Sequence, residues 1–119
     1  MKTHKDLDVY NLSIELVKII YNLTKNFPKE ELFGLISQIR RAAVSIPSNI
    51  AEGSARNHSK EFKQFLYIAL GSASELDTLI LISNKLELIN NKNYEELFSK
   101  LTSISKMLQG LIKSIKTNN

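Results

Sequence analysis

The sequence predicts an all-α fold, an up-down-up-down antiparallel four-helix bundle that occupies residues 1–119 as a single domain. Apolar residues recur three and four positions apart along four segments, which is the period of an amphipathic helix. Short polar or proline-containing links separate these segments, and short links join antiparallel neighbours. Because no segment shows the strict alternation of a β-strand, a sheet is not expected.

The composition is that of a globular protein and excludes several kinds of site. Hydrophobic residues make up 43% of the chain and charged residues 24%. The chain has no cysteine, which excludes disulfides, thiolate nucleophiles and cysteine-based zinc sites and fits a cytoplasmic location. Apolar runs such as residues 79–82 are far shorter than the ~20 residues that cross a bilayer, so no membrane association is expected. The polar N-terminus does not resemble a signal peptide.

The first helix is predicted from Asp6 or Asp8 to Asn26, with an aspartate as its N-cap. It carries two apolar stripes, whereas a helix that packs only into a small core needs one. The second stripe is explained either by packing on both flanks or by contact with another subunit, and the subunit is favoured. The first stripe consists of Val9, Leu12, Leu16, Ile19 and Leu23, and the second of Tyr10, Ile14, Val17 and Tyr21.

The second helix follows Pro28 and contains the most informative segment of the chain, residues 38–56. Pro47 lies inside its apolar pattern, which predicts a kink or a break there because proline removes a backbone hydrogen bond. Gly53 is predicted to end the helix. The apolar face consists of Leu32, Leu35, Ile36, Ile39, Ala43, Ile46 and Ile50.

The third helix is predicted from about Lys60 to Lys85. Ser59, Asn57 or His58 is expected to precede it, with Ser59 or Asn57 the better N-cap by residue type. Residues 69–74 form a block of mostly small side chains, which predicts a close crossing with another helix. Its core face is expected to contain Phe62, Phe65, Leu66, Ala69, Ala73, Leu76, Leu79 and Ile80.

The fourth helix follows the asparagine-rich turn at residues 90–93. Asn93 and Glu96 resemble a capping box. Apolar residues then recur in a near-heptad pattern, which is typical of a bundle helix. These residues are Tyr94, Leu97, Leu101, Ile104, Leu108, Leu111 and Ile115.

Polar residues of the second helix form a line opposite its apolar face. A structural polar line is predicted from Gln38, Ser45, Asn49 and Glu52. Arg41 falls on this line, whereas Arg40 lies at the edge of the apolar face, because adjacent helical positions diverge by about 100°. Two interpretations of this arginine pair remain open. The arginines form ion pairs with acids such as Glu52, Glu75 or Asp77, or they bind phosphate or a partner through their planar guanidinium groups.

Candidate residues for binding nucleic acid or a partner are cationic. They are Arg40, Arg41, Arg56, Lys60 and Lys63. The net charge of +4 permits contact with nucleic acid and does not require it. The four tyrosines could stack on bases, but their helical spacing favours packing.

The sequence offers no catalytic, cofactor or metal site. The two histidines, His4 and His58, lie far apart in sequence and are expected at the surface. No serine lies in a recognisable nucleophile motif, and no glycine-rich phosphate loop is present. Glu75 and Asp77 point to different sides of their helix, so they are not an acid–base pair. The chain is therefore expected not to be an enzyme.

Six segments of the chain carry a resemblance to a known family: residues 26–28, 34–35, 38–43, 45–53, 65–66 and 69–76. They resemble the bacterial four-helix bundle protein family, whose members include S23-like proteins encoded by intervening sequences in 23S ribosomal RNA genes. The resemblance implies a ring, a homopentamer, and similarity to the accessory variability protein of diversity-generating retroelements, a pentameric bundle that binds nucleic acid. The expected function is a non-enzymatic, ring-forming adaptor associated with RNA or DNA. The alternative is a protein-interaction scaffold without nucleic-acid binding.

Overall fold

The computed structural model describes His4 and residues 7–116, and within them the chain forms four α-helices. The helices are α1 (Asp8–Thr24), α2 (Leu35–Ala55), α3 (Ser59–Lys85) and α4 (Asn91–Ser114), with a short 3-10 helix at Lys29–Glu31. They pack as an elongated antiparallel bundle measuring 48 × 25 × 24 Å. The predicted all-α four-helix bundle is confirmed.

The core runs along the whole bundle axis and is almost entirely aliphatic. α2 and α3 form the most extensive helix pair, while α1 and α4 make the least extensive contact. Small side chains permit the close α2–α3 pairing, since Ala42, Ala43, Ala69 and Ala73 are all buried. The largest fully buried apolar side chains are Leu16, Ile20, Ile39, Ile46, Ile50, Leu66, Leu76, Ile80, Ile89, Ile104 and Leu108.

Helix α1 buries a line that shares Val9 and Leu16 with the first predicted stripe and otherwise lies between the two stripes. Ser13 and Thr24 are buried on this line because their hydroxyls donate to the carbonyls of Tyr10 (2.7 Å) and Ile20 (2.8 Å), respectively. Bundle packing therefore accounts for most of both stripes. Ile14 remains substantially exposed. The buried line is Val9, Ser13, Leu16, Ile20 and Thr24.

The link between α1 and α2 differs from the predicted one. α1 ends at Thr24 instead of Asn26, and α2 begins at Leu35 instead of directly after Pro28. The intervening 3-10 helix and Gly34 occupy the residues expected to start α2. Leu32 is consequently 47% exposed and does not belong to the core.

Helix α2 continues through both residues that were expected to interrupt it. Pro47 is buried inside an unbroken helix, so a break there is wrong, while a kink stays a prediction. Gly53 does not end the helix, which continues to Ala55. A Cβ atom at Gly53 would lie 2.6 Å from Cβ of Phe65 and 3.0 Å from Cδ1 of Phe62. Gly53 is therefore required by the close approach of α3, not by a turn.

Helix caps also differ from the predictions in their position. Leu7, not an aspartate, is the N-cap of α1, and Asp8 lies in the first turn; Asp6 lies outside the described residues. The N-cap of α3 is His58, whose side chain makes no capping hydrogen bond. In α4 the cap is Asn90 rather than Asn93, with the Asn90 Oδ1 accepting from the Asn93 backbone N–H at 2.8 Å.

Candidate partner and nucleic-acid interface

The polar line of α2 makes its central contacts with α3. Ser45 Oγ and Ser72 Oγ are hydrogen-bonded at 2.8 Å across the helix pair. Asn49 Nδ2 donates to the Ser45 carbonyl at 2.8 Å and to Ser45 Oγ at 2.9 Å. Gln38 and Glu52, at the two ends of the line, are exposed. The middle of this line thus joins α2 to α3 and leaves its ends facing solvent.

Arg40 fastens α2 to the C-terminal end of α1. Its Nε donates to Thr24 Oγ1 at 2.9 Å, and its Nη2 donates to the Tyr21 carbonyl at 3.4 Å. The guanidinium also lies over the Tyr21 ring, 4.4 Å from the centroid. A cation is favourable at this end of α1, where helix carbonyls lack intrahelical partners. Contacts within the chain therefore occupy much of the Arg40 guanidinium.

Arg41, the adjacent residue, is exposed. It lines the hollow at the α2–α3 seam together with Gln38, Ser45 and Glu75, and also the groove between α1 and α2. Within the described part of the chain, no hydrogen bond or ion pair engages its guanidinium. Among the described residues, neither Arg40 nor Arg41 forms an ion pair with Glu52, Glu75 or Asp77, as one of the two interpretations expected. Glu52 pairs with Arg56 instead.

The remaining candidate cations meet at the corner between α2 and α3. Arg56 forms ion pairs with Glu52 (3.5 Å) and Glu61 (3.8 Å), and its guanidinium lies 5.1 Å from the Phe65 ring centroid. Both ion pairs are about half exposed, so they hold Arg56 only weakly. Lys60 is exposed and Lys63 half-buried in the first turns of α3.

Charge is distributed unevenly between the two ends of the bundle, because the up-down topology places alternate helix ends together. Among described residues, the end with the α2–α3 corner has more basic than acidic residues, whereas the charges of the opposite end balance. The first end carries Arg56, Lys60, Lys63, Lys113 and Lys116 against Asp8, Glu52 and Glu61. The second carries Lys25, Lys29, Arg40, Lys85 and Lys92 against Glu30, Glu31, Glu87, Glu95 and Glu96.

An apolar groove of about 580 Å³ lies between α1 and α2. Phe33 is 93% exposed at its edge, and Tyr21, Leu32 and Val44 are exposed beside it. The predicted apolar face of α2 did not include Phe33, which does not fit the helical spacing of that face. An apolar residue off this spacing and next to Gly34 indicates a short apolar protrusion before the helix.

The outer face of α3 is also apolar. Tyr67 and Ile68 are each more than half exposed, and Leu81, Ile82 and Leu86 follow on the exposed side. Only 33% of the most apolar 18-residue window of α3 is buried. By length and composition this one helix could cross a membrane. A single helix of this kind is weak support for a membrane location, because core helices of soluble proteins pass the same test.

The other hollows of the described bundle hold no recognisable chemistry. A groove of about 380 Å³ between α1 and α4 is lined by asparagines and aliphatic residues, with Glu96 and Lys100. Within His4 and residues 7–116, no three His, Cys, Asp or Glu side chains come close enough to hold a metal ion. Asp77 Oδ1 is buried on α3 without a hydrogen-bond partner.

Comparison with known proteins identifies relatives of the whole bundle. The family model described as "23S rRNA-intervening sequence protein" matches residues 5–110. A crystal structure of a protein of unknown function from the S23 ribosomal protein family of Bacteroides thetaiotaomicron is 31% identical, with a TM-score of 0.83. The match covers 89% of this chain and 99% of that one. None of the curated proteins matches the chain.

Proposed function

We propose that this chain, which belongs to the 23S rRNA-intervening sequence protein family, is a non-enzymatic bundle that assembles into a homopentameric ring and acts as a cytoplasmic adaptor for RNA or DNA. The solved relative is described as having unknown function, and the family name indicates no catalytic activity. Similarity to the accessory variability protein stays a prediction.

The apolar groove between α1 and α2 is the observation that supports the proposed assembly. Phe33 exposes 93% of its surface there, next to other exposed apolar side chains. Contiguous exposed apolar patches on folded proteins mark contacts with partners. A monomer would leave both this groove and the outer face of α3 in water, at a cost proportional to their apolar area.

The assembly is tested by size-exclusion chromatography with light scattering at micromolar concentration. The expected mass is five times the 13.5 kDa of one chain. Phe33→Ser should lower the mass while leaving the helical circular dichroism unchanged, because Phe33 lies outside the core. Phe98→Ser, on α4, removes an exposed phenylalanine outside the groove and is the matched control. A monomeric unaltered chain contradicts the proposed ring.

The basic end of the bundle supports the nucleic-acid half of the proposal. Arg56, Lys60 and Lys63 lie together at the α2–α3 corner, and the ion pairs of Arg56 are exposed enough to yield to phosphate. Arg41 adds a guanidinium without a partner in the described chain. Lysine and arginine contacts to phosphate release counterions, so the affinity should fall steeply with salt.

Binding of a structured RNA and of duplex DNA is tested by fluorescence anisotropy over a series of salt concentrations. Replacing Arg56, Lys60 and Lys63 by glutamine should weaken binding and reduce the slope of log K against log salt by about 0.9 for each lost contact to duplex DNA. The matched control replaces Lys25, Lys29 and Lys92, at the opposite end of the bundle, by glutamine.

The protein-interaction scaffold without nucleic-acid binding remains the second candidate, and the apolar groove favours it equally. It predicts an intact ring with no binding of either nucleic acid at low salt. That result would contradict the proposed adaptor function but not the proposed assembly. If both triple variants lose binding equally, the binding depends on net charge alone and not on the α2–α3 corner.

A further inference from the structure

The groove between α1 and α2 is positively charged as well as apolar. Arg40 and Arg41 are its charged lining residues, and no acidic side chain lines it. Arg40 is held by Thr24 and Tyr21, whereas Arg41 has no hydrogen bond or ion pair within the described chain. A surface that covers this groove must therefore be apolar and should bring a carboxylate to Arg41.

The outer face of α3 has the complementary character. Between Lys63 and Lys85 the helix contains no cation, and its charged residues are Glu75 and Asp77. Ile68, Glu75 and Ile82 follow one another at intervals of about two turns, so they share one exposed stripe. The exposed carboxylate of Glu75 thus lies between two exposed isoleucines.

We infer that the outer face of α3 in one copy covers the α1–α2 groove of a second copy and places Glu75 beside that copy's Arg41. This inference rests on the proposed self-assembly and names the two surfaces that form it. A second copy accounts for both uncovered faces at once, and apolar surface and charge match across the contact. Contact between two different faces is heterologous, which is the type of interface that closes into rings.

Within one copy, Arg41 and Glu75 line the same hollow at the α2–α3 seam. They nevertheless form no ion pair, so each has charge available for a neighbouring molecule. A contact at this point brings together an arginine and a glutamate that are both exposed in the single chain. Opposite charges at such a position set the register of two apolar surfaces more than they add affinity.

The test uses two charge reversals, Arg41→Glu and Glu75→Arg, in the full chain. Each should weaken assembly by about tenfold or more, because like charges then face each other across the contact. Mixing the two separately purified variants should restore assembly at every contact between unlike copies, since the two reversed residues then face each other with opposite charges, as do the two native residues. A ring of five retains one contact between like variants, so the rescue is expected to be partial. Light scattering over a dilution series measures both effects.

Matched controls place the same charge changes at the N-terminal end of α4, away from the proposed contact. Lys92→Glu and Glu95→Arg are exposed on α4 and should leave the mass unchanged. If the unaltered chain assembles and both reversed variants assemble as well as it does, the inferred contact is wrong, but the proposed ring is not. Reversals that weaken assembly without rescue on mixing also overturn it, because the charges would then act within one copy. A monomeric unaltered chain overturns the ring itself.

Discussion

Gly53→Ala tests how closely α2 and α3 approach each other. In a helix interior this change normally raises stability by about 1 kcal/mol through helix propensity. Here the new methyl group would lie 2.6 Å from Cβ of Phe65 and 3.3 Å from the Phe62 carbonyl oxygen. Phe65 Cβ is fixed to the backbone of α3, so the helices must separate. Overpacking of this kind costs about 1–3 kcal/mol, which outweighs the gain in propensity.

The matched control is Gly110→Ala on α4, where an added Cβ meets no atom within 4 Å. It should raise the free energy of unfolding by up to about 1 kcal/mol. The difference between the two variants measures the clash, about 1–3 kcal/mol, or a melting-temperature difference of roughly 3–15 °C. Urea unfolding followed by circular dichroism must use equal protein concentrations, because the proposed assembly would add concentration-dependent stability. A Gly53→Ala variant as stable as Gly110→Ala would refute the close approach.

Four further substitutions test contacts within the bundle by thermal unfolding. Arg40→Ala should lower the free energy of unfolding by about 1–2 kcal/mol, because it removes the hydrogen bond to Thr24 and the contact with an aromatic ring. Asn90→Ala should cost about 1 kcal/mol as the loss of a helix cap, whereas Asn93→Ala should cost much less because Asn93 contributes only its backbone N–H. Asp77→Leu should raise stability by about 1 kcal/mol, because it removes a buried oxygen without a hydrogen-bond partner.

Helical period predicted the four helices and most of the core, because burial follows the same spacing as the apolar residues. The ends of helices were less predictable. A glycine that ends a helix and a glycine that admits a neighbouring helix both lack Cβ, so the sequence alone could not distinguish these roles at Gly53. Pro47 posed a similar problem, since a helix held on both sides by packing can retain a proline that would interrupt it in isolation.

The roles of the two adjacent arginines were predictable only in part. The angle of about 100° between adjacent helical positions correctly predicted that Arg40 and Arg41 have different surroundings. Their partners depend on the register between helices, which no periodicity within a single helix determines. Arg40 contacts Thr24 and Tyr21 because the link between α1 and α2 fixes the axial offset between the two helices. A pattern of polar residues could show that a line exists, but not that its middle contacts α3 while both of its ends reach solvent.

Assembly and nucleic-acid binding would use different cations of this protein. If Arg41 faces Glu75 of a neighbouring copy, phosphate must be bound by Arg56, Lys60 and Lys63, which lie at the basic end of the bundle. The cyclic symmetry of the proposed ring would place this corner at the same height in every copy and so concentrate on one rim a charge that is modest in a single chain. Phe33→Ser should therefore weaken RNA binding although it leaves the corner intact. Unchanged affinity in a dissociated Phe33→Ser variant would show that a single bundle suffices for binding.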